Sequence, residues 1–346
     1  MSNGKIVTEG EVLEEASPVS AALKAQLQDA LMENKRMALS VGDDLALFEY
    51  IKGQIKALPP YARIKAPVIN SNHAEHHAVF ILADAHSEEY VSAVEMEGSS
   101  KYDWQTFTDR MNTSVDKVVE ITTMMRQSVP VTHAHVFYLG DWFLGQIHPA
   151  EHAFGTSTTL PLALPAASRI VADQVMKLAA HFDQVHVWGM CGNHGRDTIK
   201  PVTKMTADRN WDMALYLIAR EFSRAQTNVH WNIPQSIMDV APVMGWGCML
   251  THGNCVKRSH AEPLFAISRM VDMQHRQRRK GKDFDYAFVG HWHDDSMLHG
   301  ECVLCPPLIG ASQFSRYLMH QSTAPGALLY YFTEKHGKTC SWRLNL

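Results

Sequence analysis

The sequence predicts an α/β protein, and three observations carry that expectation. Short β-rich runs alternate with amphipathic stretches of helical period along most of the chain, the pattern of a sheet covered by helices. The composition is that of an ordinary globular chain, 46% hydrophobic and 20% charged over 346 residues, which excludes a disordered, collagen-like or coiled-coil protein. Several of the β-rich runs end directly in Asp, Asn or His, in a chain with 20 histidines. Imidazole is the commonest metal ligand and titrates near neutrality, so these positions point to metal coordination or acid–base chemistry.

The elements follow in order. Ser17-Pro18 reads as an N-cap with proline at the first helical position, and apolar residues keep helical spacing from there to Pro59-Pro60. Residues 1–75 are therefore expected to be a helical extension and 76–346 the main domain. Within the main domain the expected strands are 79–83, 136–139, 185–190, 249–251, 286–289 and 327–332. The helices between them are expected over 104–127, 170–182, 213–226 and 263–280. The run Arg276-Gln277-Arg278-Arg279-Lys280-Gly281-Lys282 closes the last helix, where cations complement the helix dipole or contact a phosphate backbone.

Five strands run into metal-competent residues. The strand at 79–83 leads into Asp84-Ala85-His86, that at 136–139 into Gly140-Asp141, and that at 185–190 into Gly192-Asn193-His194-Gly195-Arg196. Those at 249–251 and 286–289 lead into His252 and Gly290-His291-Trp292-His293. Ligands of open α/β sheets bind outside the carboxyl ends of the strands, so five such loops can share one site. Each piece alone has an ordinary explanation: Gly-Asp and Gly-Asn are common turn dipeptides, Asp is a capping residue, and His133-Ala134-His135 is a second HxH pair on the approach to a strand. The ordered set has no such single explanation.

That set closely resembles the signature of the calcineurin-like metallophosphoesterases, in their nuclease and phosphodiesterase branch, over about 79–293. The resemblance implies a four-layer α-β-β-α sandwich of two mixed sheets flanked by helices, with two divalent cations between the sheet ends. It implies Asp84, His86 and His293 around one cation, Asn193, His252 and His291 around the other, and Asp141 bridging both. His-rich ligation favours Mn, with Fe or Zn as alternatives, over Mg alone. His194 is implied as the general acid, and Arg196 is a candidate fork to a phosphate oxygen. Two departures stand out. No second carboxylate follows Asp141 within three residues, and Gly195 stands where many relatives carry the acidic partner of the histidine.

The function these readings point to is hydrolysis of a phosphate ester, first a phosphodiester in nucleic acid or a nucleotide. A phosphomonoesterase and a non-catalytic metal-binding scaffold are the alternatives. With 32 Lys and Arg against 36 Asp and Glu the net charge is −4, so any grip on DNA is local. No stretch approaches a membrane span, no signal peptide is visible, and six scattered cysteines fit a reducing cytoplasm. The N-terminal helices are a candidate surface for pairing two protomers, for covering the site or for contacting DNA, and the sequence does not choose among the three. Three further signals have ordinary readings: His148-Pro149-Ala150-Glu151-His152 matches a zinc-peptidase pattern, Cys302-Val303-Leu304-Cys305 half a zinc knuckle, and Trp142, Phe143, Trp188 and Trp292 flank the ligand loops as candidate base-stacking residues.

Overall fold

Continuous apolar runs such as Ala78-Val79-Phe80-Ile81-Leu82 are buried on both faces, which a strand manages only between two covering layers. The computed structural model describes residues 53, 55–64, 73–145, 147, 155–201, 204–256, 263–277, 283–318 and 323–346. The chain divides into two compact units, Met1–Gln54 and Ile55–Leu346, and the second is described below.

One sheet has six strands in the order β11-β10-β1-β2-β3-β4. These are β1 (His76–Leu82), β2 (Val131–Tyr138), β3 (Gln184–Gly189), β4 (Val229–Asn232), β10 (Gly326–Thr333) and β11 (Gly337–Asn345). Strands β1 to β4 are mutually parallel, and β10 and β11 add antiparallel partners. The second sheet, β5-β6-β7-β9-β8, is also mixed. It comprises β5 (Met238–Val243), β6 (Trp246–Thr251), β7 (Tyr286–Val289), β8 (Met297–Leu298) and β9 (Cys302–Leu304).

The sheets stack through Val79, Ile81, Phe137 and Trp188 of the first against Cys248, Leu250, Phe288 and Val303 of the second. Helices α1 (Trp104–Met125), α2 (Leu160–His181) and α3 (Trp211–Ser223) cover the outer face of the first sheet. Helix α4 (Pro263–Arg276) covers the second, setting Ile267 and Val271 against Met249, Ala287 and Val289. The domain is thus the expected α-β-β-α sandwich. Among the described residues no helix is long and apolar enough to cross a membrane.

Several boundaries differ from expectation, for physical reasons. Helix α2 begins at Leu160, ten residues before the expected start, because Pro161 sits in its first turn, where a missing N–H costs nothing, and Pro165 follows within the helix. Strand β2 begins at Val131, which places His133 and His135 inside the sheet. Residues 55–60 are irregular, not the end of a helix: Leu58 N–H donates to Phe222 O at 2.9 Å and Tyr61 N–H to Gln226 Oε1 at 2.9 Å, so this strap takes its backbone partners from the region of α3. Residues 61–64 and 73–75 are likewise in no helix, and the remainder of the expected extension, 1–52, 54 and 65–72, lies outside the described residues, as do residues 278–282 of the basic run.

Candidate metal centre

The loops after β1, β2, β3, β6 and β7 meet at the carboxyl ends of their strands. Donor atoms of Asp84, His86 and His293 all lie within 4.8 Å of one another, and so do those of Asp141, His252 and His291. Asn193 Oδ1 stands 3.2 Å from His252 Nε2. Asp141 spans the gap, with Oδ2 2.9 Å from His252 Nε2 and Oδ1 accepting the His194 N–H at 2.8 Å. The two sheets are tied together here as well: His252 Nδ1 bonds Leu139 O at 2.8 Å, and the His291 N–H donates to the Asp84 carboxylate at 3.0 Å. The carboxylates lie buried on the floor, while Asn193, His194, His291 and His293 are partly exposed at the mouth.

The charges explain why such polar groups survive burial. Burial alone pushes Asp84 and Asp141 up, but His293 beside the first and His252 and His194 beside the second hold both below the usual carboxylate range. Burial likewise opposes the protonated form of His252, yet Asp141 raises it to about 9, and Asp84 raises His293. His86 and His291 are pushed down to about 3, chiefly by burial, and are neutral. Among the described residues His86 Nδ1, which is buried, has no hydrogen-bond partner, a defect that ordinarily costs about 1–3 kcal/mol. Two carboxylates, neutral imidazoles and an orphaned ring nitrogen fit a pair of divalent cations of borderline softness.

The backbone is strained at these same positions. Of the nine non-glycine residues with positive φ among the described residues, five are ligand candidates: Asp84 (53°), His86 (41°), Asp141 (55°), His291 (69°) and His293 (49°). Asp and His tolerate this region better than most residues, and strain of this kind collects at functional sites. Gly140 and Gly192 permit the closest approach. A Cβ on Gly140 (φ 91°) would fall 2.4 Å from the Gly192 nitrogen, and one on Gly192 would fall 2.1 Å from Asp141 Oδ1.

Two buried carboxylates that the sequence reading did not single out hold the loops in place. Asp212, in the first turn of α3, accepts N–H groups from Asp141 (2.9 Å), Trp142 (3.1 Å) and Gly192 (2.8 Å), joining the β2 and β3 loops. Burial and the Asp141 charge push it up to about 7. Glu88 accepts the Gly145 N–H at 3.0 Å from the other side. In sequence, Asp212 reads as an acid at a helix N-terminus behind the Asn210 cap, and nothing marks Glu88.

His194 presents its ring edge to His86, with centroids 4.7 Å apart, and its Nδ1 is bonded to Leu144 O at 2.9 Å. That carbonyl, not an acidic side chain, is the partner of the ring nitrogen. Arg196 is placed differently from a phosphate fork: its guanidinium donates to Asn193 O, Thr198 O and Ile199 O and so folds its own loop. Trp142, Phe143, Trp188 and Trp292 are all buried and pack as core, so none offers a face for base stacking. Cys302 and Cys305 are free thiols in different clusters, one beneath α4 and the other between the sheets, and do not form half a zinc knuckle. The motif at 148–152 lies outside the described residues.

No family model and no curated protein matches the chain. Among solved structures it is similar to Vacuolar Protein Sorting 29 from Cryptosporidium parvum, at 12% identity and a TM-score of 0.34 over 78% of this chain and 98% of that one. It is similar to Vps29 from Entamoeba histolytica complexed with zinc, at 13% identity and a TM-score of 0.30 over 78% and 98%. A predicted phosphoesterase from Streptococcus pneumoniae shares 9% identity and a TM-score of 0.28 over 78% and 98%. At such scores the functional reading rests on this chain's own residues.

Proposed function

We propose that this protein is a metal-dependent phosphoesterase whose first substrate class is a phosphodiester in nucleic acid or a nucleotide. The observation that carries the reading is the convergence of two His/Asp groups on either side of Asp141, with His194 at the mouth. Asp84, His86 and His293 would hold one cation, and Asn193, His252 and His291 the other, with Asp141 reaching both. Divalent cations held there would supply a nucleophilic water near neutral pH and charge neutralisation at the phosphoryl oxygens. The chain supplies the rest. Leu144 O fixes the His194 ring through Nδ1, and Nε2 would deliver a proton to the leaving-group oxygen. Glu88 and Asp212 hold the β2 loop rigid from two sides, and Arg196 braces the loop that carries Asn193 and His194.

The diester preference rests on the motif order and on the basic residues that close α4. Mn leads among the cations because imidazole and carboxylate share the site. The unpaired cysteines support a reducing cytoplasm, and the residues before the domain are a candidate dimer surface.

The test is hydrolysis by the manganese-loaded protein of end-labelled single- and double-stranded DNA, beside generic phosphodiester and phosphomonoester substrates. Asp141→Ala should abolish turnover with loss of metal, whereas His194→Ala should keep its metal and lose about 10²–10⁴ in rate. Turnover of the monoester alone would make the protein a phosphomonoesterase, and metal loss in His194→Ala would remove its role as acid. Metal bound without turnover of any ester would leave the scaffold reading.

A further inference from the structure

Far from the metal centre, the parallel register of the first sheet brings a second set of histidines together. His77 on β1 lies opposite His133 on β2, His135 opposite His186 on β3, and His186 opposite His230 on β4. The rings form a ladder. His77 stacks on His133 with centroids 4.3 Å apart and planes 17° from parallel, and successive centroids from His77 to His135, His186 and His230 are 5.3, 5.2 and 5.0 Å apart. The ladder lies at the amino ends of the strands, whereas the metal centre lies at their carboxyl ends. His77 lies near the start of β1 and Asp84 just past its end, and the five residues from His77 to Leu82 alone span about 16 Å of extended chain.

Glu75, just before β1, completes the outer end of the ladder. One ligand atom each from Glu75, His77 and His133 lies within 4.8 Å of the others. Glu75 Oε1 is 3.6 Å from His77 Nε2 and 3.7 Å from His133 Nδ1. Those separations are too long for hydrogen bonds and close to the roughly 3.3 Å between neighbouring donors of a tetrahedral ion with bonds of about 2.0 Å. The Thr132 hydroxyl donates to Glu75 Oε1, holding the carboxylate beside β2, and is hydrogen-bonded to His133 Nδ1 at 2.6 Å, a contact that an ion on that nitrogen would replace. Behind them, His77 Nδ1 is bonded to His135 Nε2 at 3.0 Å, the outer hydrogen bond that orients a metal-ligating imidazole. His135 is buried, and its Nδ1 has no partner among the described residues.

We propose that Glu75, His77 and His133 form a second cation site, separate from the metal centre, for one borderline transition-metal ion of the zinc class, with His135 as the outer partner of His77. Two imidazoles and one carboxylate select such an ion over magnesium or calcium. Burial and the neighbouring imidazoles hold His77 at about 4 against the pull of Glu75, so at neutral pH the pair is no salt bridge. Glu75 and His133 are partly exposed, which gives an ion a way in. Once bound, the ion would clasp the chain entering β1 to the start of β2, fixing the register of two central strands.

The experiment is equilibrium dialysis of the full chain against Zn²⁺ with elemental analysis, on wild type, His77→Ala/His133→Ala, Glu75→Gln and Asp141→Ala. The double variant should carry one zinc fewer per chain than wild type and hydrolyse phosphate esters at the wild-type rate. Glu75→Gln should bind that zinc weaker by about 10–100-fold or more, the cost of losing even an outer partner. Asp141→Ala should retain it. If the metal centre takes no zinc, Asp141→Ala equals wild type while the double variant still loses one, so failure of the phosphoesterase reading is distinguishable. Should the double variant not fold, Glu75→Gln decides, since that carboxylate lies at the surface. Equal stoichiometry and affinity in wild type and Glu75→Gln would overturn the proposal.

Discussion

Asp212 belongs to neither group of candidate ligands, yet three N–H groups from two ligand loops converge on its carboxylate. Its two oxygens meet donors only, so replacement by asparagine turns one acceptor into a donor facing a donor. Asp212→Asn should therefore lose about 1–3 kcal/mol of folding stability, the cost of a buried group left unsatisfied, which denaturant titration would show as a lower midpoint with an unchanged slope. Metal affinity should fall with it, because Asp141 and Gly192 lose the anchor that sets their spacing. An unchanged midpoint together with unchanged metal affinity would mean that the loops hold their shape without this carboxylate.

At the scale of elements, the centre depends on two loops approaching more closely than side chains allow. Gly192→Ala would place a Cβ 2.1 Å from Asp141 Oδ1, and the obstacle is the carboxylate that the site needs in place. The variant should fold, since the strands beneath are untouched, and lose metal and turnover together; elemental analysis beside circular dichroism checks both. The same loops were the legible part of the sequence. Strands that end in Asp84, Asp141, Asn193, His252 and His291 announce themselves because an apolar run stops abruptly at a polar ligand. Strand β11, with its alternation of exposed and half-buried residues from Lys338 to Trp342, carries no such signal, nor do the two or three residues of β8 and β9. The first ten residues of α2 were hidden by Pro161 and Pro165, which read as loop until the helix start is seen. Glu88, Asp212 and Leu144 O escaped for a different reason: their work consists of contacts to backbone groups, and no residue pattern encodes which N–H or ring nitrogen a distant group will meet.

For the molecule as a whole, four of the site histidines, His86, His252, His291 and His293, set opposing slopes of stability against pH. His86 and His291 sit near 3 in the folded chain, below the ordinary value of about 6.5, so their contribution is full above 6.5 and is lost as pH falls toward 3. His252 is raised to about 9 and His293 is raised as well, so theirs is full below 6.5 and is lost as pH rises, for His252 through 9. From these groups, the metal-free chain should be most stable near pH 6.5. A cation reverses the alkaline limb, because it displaces the His252 proton held by Asp141, and its affinity should rise about tenfold per pH unit up to about 9 for each proton released. Thermal unfolding in chelator and in excess Mn²⁺ should therefore diverge from pH 6.5 to 9, the metal-loaded midpoint pulling away from the metal-free one. A constant gap across that range would mean that proton and cation do not compete at His252, and the second ligand group would have to be redrawn around Asn193 and His291.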